Sequence, residues 1–96
     1  MKEKIANLSV QIPIKKAGNV IIQEYVQFEV FQDANEYVLT PRLNDDELRI
    51  ANLPAELRFY IQEGKPVSTR GNRDGNFHVI QDTYTQLKTL QLVESS

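Results

Sequence analysis

One stretch limits the folds open to this chain more than any other: Val20 to Phe31, VIIQEYVQFEVF. Val20, Ile22, Val26, Phe28 and Val30 share one parity, broken only by Glu24. The other parity carries Ile21, Tyr25 and Phe31 among Gln23, Gln27 and Glu29. Alternation of this kind marks a strand, and β-branched and aromatic side chains suit a pleated surface. A strand so apolar on both faces makes a poor solvent-exposed edge. It is therefore expected in the middle of a sheet, paired on both sides, with Glu24 and Glu29 as gatekeepers against strand aggregation.

The flanking segments supply its neighbours. Leu8, Val10, Ile12 and Ile14 alternate with Asn7, Ser9, Gln11 and Pro13. Pro13 has no N–H for a ladder, so this strand belongs at a sheet edge with Pro13 facing outward. Lys15 to Asn19 forms a glycine-containing turn, and Gln32 to Glu36 a second one. Tyr37 to Thr40 is a short third strand, stopped by Pro41.

Beyond Pro41 the period changes. Asn44 can cap a helix whose first turn holds Asp45, Asp46 and Glu47, acids that suit the positive end of the helix dipole. Leu48 and Ala51 face inward until Pro54 ends the run. Leu53, Leu57, Tyr60 and Ile61 then recur at helical spacing, with Pro54 at the start and Gly64 and Pro66 at the stop. Leu57, Phe59 and Ile61 also alternate, and Glu63-Gly64-Lys65 can turn a hairpin into Pro66-Val67. Length and caps favour the helix. Phe77, Ile80, Tyr84, Leu87 and Leu90 mark a last helix, whose threonines weaken its propensity without reversing it. Residues 1–96 are thus expected to form a single α+β domain. Its sheet is a three-stranded antiparallel N-terminal meander with two or three helices on one face.

Composition removes whole classes of function. The chain has no cysteine, which excludes disulfides, thiolate metal sites and cysteine nucleophiles. No apolar run reaches the roughly 18 to 20 residues of a membrane-spanning helix. No apolar h-region follows the N-terminal lysines. A cytoplasmic protein that needs no cofactor is the simplest expectation. Residues 1–48 hold five Lys or Arg and eight Asp or Glu, net −3, and residues 49–96 hold six and five, net +1. That asymmetry falls short of the basic face a nucleic-acid binder presents.

Chemistry-bearing residues are sparse. His78 is the one histidine. Ser68, His78 and Asp74 or Asp82 make a nominal triad, but Ser68 has no strand–elbow–helix context. Asn72 to Asn76 alternates oxygen donors, yet the calcium-loop count puts Phe77 where glycine belongs and Thr83 where glutamate belongs. No GxxxxGK[ST] or GxGxxG is present. The segment Gly64 to Gly75 stands out instead, with three of the four glycines and Lys65, Arg70 and Arg73 ahead of its first acid. Long apolar-poor loops are functional or disordered more often than structural.

These features favour a small, non-catalytic interaction or accessory module that binds another protein. Its contact residues are expected among Lys65, Arg70 and Arg73 of the loop and Tyr25 and Tyr37 on the open sheet face, since Tyr and Arg are favoured at interfaces. Self-association through the sheet is a further route. Nucleic-acid binding through the basic 64–75 loop is the alternative, and no metal or membrane is implied.

Overall fold

Alternation in the first third of the chain builds one long hairpin. The computed structural model describes residues 2–70 and 76–93, the Arg70 side chain excepted. Strand β1 (Lys2–Lys16) pairs antiparallel with β2 (Val20–Asp33), from Lys16↔Val20 to Lys2↔Asp33, with a bulge between Lys4 and Ala6. A 3-10 turn at Ala17–Asn19 joins them, with Gly18 at φ 78° and Asn19 at φ 64°. Glycine and asparagine tolerate that left-handed backbone best. Fourteen residues at about 3.3 Å each reach ~46 Å, which matches the long dimension of 44 Å. The hairpin sets the length of the molecule.

Strand β3 (Glu36–Pro41) pairs with the second half of β2, from Asp33↔Glu36 to Phe28↔Pro41. Strands β4 (Leu57–Gln62) and β5 (Lys65–Arg70) complete a five-stranded antiparallel sheet in the order β1-β2-β3-β4-β5. The three-stranded expectation is therefore corrected to five strands, while the α+β class stands. Residues 57–70 form a hairpin where a helix followed by a loop was expected. Two physical reasons decide it. Arg58-Phe59-Tyr60-Ile61 is a run of strand formers, and Glu63 (φ 52°) and Gly64 (φ 75°) close a two-residue turn between Gln62 and Lys65. Positive φ at both central residues is the hairpin geometry that continues strand twist.

Two helices cover one face. Helix α1 (Asp45–Ala51) opens with a capping box: Glu47 N–H donates to Asn44 Oδ1 (2.8 Å) and Asn44 N–H donates to Glu47 Oε1 (3.0 Å). Asn52, at φ 57°, ends it. Its N–H donates to Arg49 O, and Leu53 N–H reaches back to Leu48 O, a left-handed helix stop. Helix α2 (Phe77–Thr89) buries Val79, Ile80, Thr83, Tyr84 and Leu87. It packs against both β1 and β5, so the sheet curves until its first and last strands meet one helix.

The core follows from the parity of the strands. Leu8, Val10, Ile12 and Ile14 of β1 meet Val26, Phe28 and Val30 of β2, Leu39 of β3, and Leu57 and Phe59 of β4 under the helices. Tyr37 stacks on Phe59 with ring centroids 5.3 Å apart. No helix among the described residues is long and apolar enough to cross a membrane.

Candidate interaction site

Each margin of a sheet offers unpaired N–H and C=O groups, and proteins cover or blunt them. Here β1 is an edge strand with Pro13 exposed, as its missing N–H requires. Farther along, Gln86 Nε2 of α2 donates to Ser9 O across that edge (2.9 Å). At the far end of the sheet, Tyr84 Oη donates to Gly64 O in the turn between β4 and β5 (3.1 Å). One helix thus reaches both the edge of β1 and the β4–β5 turn.

A further open edge lies inside the sheet. Strand β3 pairs with β2 only over residues 28–33, and Arg42 N–H adds one bond to Gln27 O (2.9 Å). Nothing among the described residues pairs with the outer edge of residues 20–26. The expectation that β2 is paired on both sides holds for its second half and is corrected for its first. The cause is length. A six-residue strand ending at Pro41 cannot flank all fourteen residues of β2.

Backbone polarity at this edge follows from two bonds. Gln27 O points toward β3 and Ser9 O, opposite it, points away from β2. In an antiparallel ladder such orientations alternate. Ile21, Gln23 and Tyr25 therefore direct their N–H and C=O groups to the open edge, while Ile22, Glu24 and Val26 bond to β1. The side chains here are unusually apolar for an exposed strand: Val20 is 54% exposed, Ile21 64% and Tyr25 71%. Glu24 is held by Lys16 at 3.3 Å. Beneath the edge, on the helix side, a cleft of about 380 Å³ is lined by Ile14, Val26, Leu43 and the exposed Ile50 of α1, among others.

The expected contact residues are dispersed. Tyr25 stands on the open face opposite Gln11, whereas Tyr37 lies on the helix side against Phe59. The two tyrosines do not share a face. Lys65 is exposed at the start of β5, and Arg70 ends the same strand across from Arg58. Residues 65–70 are strand, so the 64–75 segment is not one loop. Arg73 and Asp74 lie outside the described residues. Val20 and Ile22 belong by sequence to the apolar parity of β2 yet stand exposed, and Ile50 carries no signal beyond its side chain.

A second polar feature ties the open face together. Arg58 donates through Nε to Glu56 Oε2 (2.9 Å) and through Nη1 to Glu36 Oε1 (3.2 Å) and Asp33 Oδ2 (3.3 Å). Thr69 Oγ1 donates to Glu36 Oε2 (2.6 Å). Only 23% of the Arg58 side chain is exposed, and the fully buried Val38 is its ladder partner. The Thr69 hydroxyl first and Arg58 second hold the Glu36 carboxyl below its ordinary value of 4.5. Glu56 and then Glu36 hold Arg58 firmly protonated. This clasp joins the β2–β3 turn to β4 and β5.

A lowered carboxyl contributes stability that is present above its unfolded pKa and is lost as pH falls through the folded pKa. Thr69→Val removes the largest cause of the lowering. The acid limb of stability, below about pH 4.5, is expected to move to higher pH in that variant. Thermal unfolding followed from pH 6 to pH 3 reads this, and an unchanged limb would refute the clasp.

Catalytic geometry is sparse by comparison. His78 and Asp82 stand one turn apart on α2 over a shallow groove with Gln11, Pro13 and Gln23. The Ser68 hydroxyl is buried without a hydrogen-bond partner. No group of three His, Cys, Asp or Glu among the described residues could hold a metal ion. Comparison with protein-family models, curated proteins and solved structures gave no match.

Proposed function

We propose that this chain is a small non-catalytic interaction module that binds another protein at the open half of β2. The observation that carries this is an apolar strand edge with no ladder partner among the described residues, on a strand whose other half is paired on both sides. Added strands gain affinity from main-chain hydrogen bonds and specificity from pockets for alternate side chains. The edge residues Ile21, Gln23 and Tyr25 supply the first, and the cleft over Ile50 supplies the second. Natural strands this exposed are normally blunted. A departure from that rule marks function more often than accident. The cysteine-free composition suits a reducing, cytoplasmic setting.

The double variant Ile21→Lys with Tyr25→Lys tests this. Both positions are exposed, so the fold tolerates the change within about 0.5 kcal/mol. With the folded chain as bait, any protein bound in a saturable manner is expected to lose at least roughly 100-fold in affinity, the order of a hot-spot replacement. Lys65→Glu at the far margin is expected to leave binding unchanged. Binding that depends on Lys65 and ignores Ile21 and Tyr25 would overturn the assignment.

A further inference from the structure

We infer that the open β2 edge takes a second copy of this chain, the two Ile21–Tyr25 segments pairing antiparallel about a two-fold axis at Gln23. This rests on the interaction-module reading above and names its partner.

Three features of the edge make it complementary to itself. The first is backbone register. Ile21, Gln23 and Tyr25 all point their N–H and C=O groups outward, and a two-fold at Gln23 sets Ile21 opposite Tyr25 and Gln23 opposite Gln23. Each becomes a hydrogen-bonded pair. The shape of an isologous contact, in which one patch meets itself, is thereby met without adjustment.

The second is charge. Glu24 is the only residue charged at neutral pH between Val20 and Gln27. Moving the axis to Glu24 would set the two Glu24 side chains directly opposite, which costs energy in a sheet. Moving it to Ile22 would require Asn19 in the ladder, and Asn19 is committed to the turn at φ 64°. The axis at Gln23 is the longest register free of both faults. In it Glu24 keeps its own Lys16 at 3.3 Å and faces Ile22 of the second copy.

The third is apolar surface. On the open face the pairing sets Ile21 against Tyr25 of the second copy, twice over, covering the two most exposed hydrophobic side chains of the strand. On the helix side it sets Val20 of each copy opposite Val26 of the other, at the mouth of the cleft lined by Leu43 and Ile50. The exposures of Val20, Ile22 and Ile50 then share one explanation. The added strand lies in line with β3, which leaves the ladder after Arg42.

Five residues from each copy make a small contact, at the low end of specific interfaces. Half-association is therefore expected at roughly 0.1 to 1 mM. Sedimentation equilibrium of the whole chain across that range should show a monomer–dimer equilibrium. Gln23→Pro removes an N–H from the open edge and none from the β1 ladder, so the fold persists. The dimer should weaken roughly tenfold or more with the central bonds gone. Gln23→Cys places two thiols across the axis at a Cα separation of about 5.5 Å, inside the span of a disulfide. It should oxidise to a covalent dimer far faster than Gln62→Cys.

A wild-type chain that stays monomeric through 1 mM, or a dimer indifferent to Gln23→Pro, overturns the inference. Equal oxidation rates for the two cysteine variants do so as well. If the chain is monomeric while a different protein binds in a manner sensitive to Ile21→Lys with Tyr25→Lys, the module reading survives and only the second copy is lost.

Discussion

Replacing Phe28 with alanine is expected to destabilise the protein by about 3–5 kcal/mol. Phe28 is fully buried, and its ladder partners are Leu8 on β1 and Pro41 on β3. It stands at the point where β2 passes from one neighbour to two. Truncation there removes transfer energy and leaves a cavity that three strands cannot close together. Domains of this size hold about 5–15 kcal/mol in total, so the variant should approach its unfolding midpoint in mild denaturant. Tyr25→Ala, three residues away on the same strand, should shift stability by no more than about 0.5 kcal/mol. Urea unfolding of both variants reads the contrast. Equal losses would mean that the first half of β2 is packed and not free.

The second large effect is expected at Leu87. This side chain is fully buried on the face of α2 that reaches the sheet. Leu87→Ala should cost about 2–5 kcal/mol. Its consequence exceeds the lost contact, because α2 also carries Gln86 to Ser9 O and Tyr84 to Gly64 O. Loosening the helix frees the β1 edge beside an already open β2, and exposed edges recruit other chains. The variant should therefore scatter light on heating at temperatures where Phe28→Ala of similar stability stays clear. Identical aggregation in the two variants would contradict the role given to α2.

Some of this was legible in the chain. Leu8, Val10, Ile12 and Ile14 stated the inward face of β1, and Pro13 stated its place at the edge. Asn44 and Glu47 stated the start of α1, because a capping box needs only local geometry. Ile80, Tyr84 and Leu87 stated the buried face of α2. Residues 57–70 were ambiguous for a physical reason: Leu53, Leu57, Tyr60 and Ile61 satisfy the helical period while Leu57, Phe59 and Ile61 satisfy the strand period. The choice was made by β3, whose second edge needed a partner, and such a requirement is not local. Pro54 has the look of a helix start but follows the left-handed Asn52 in the connection between α1 and β4.

The candidate site was half legible. Tyr25 and Ile21 were visible as apolar residues on the open face, and the apolar character of both faces of β2 was plain. That character calls for neighbours on both sides. The mismatch between the twelve residues of Val20–Phe31 and the four of Tyr37–Thr40 already implied that a neighbour was missing. Tyr37 went to the covered face because it shares the parity of Leu39, which is buried in the core. Lys65 and Arg70 were separated by becoming strand residues.

Amide hydrogen exchange across Ile21–Val26 in dilute solution tests most directly whether the first half of β2 is an open edge. Ile21, Gln23 and Tyr25 should exchange quickly, and Ile22, Glu24 and Val26, bonded to β1, should exchange slowly, giving a strict alternation. Raising the concentration toward 1 mM should slow the first three and leave the others unchanged. Uniform protection of all six in the dilute monomer would mean that the edge is already covered within the chain, and the docking site would have to be sought elsewhere.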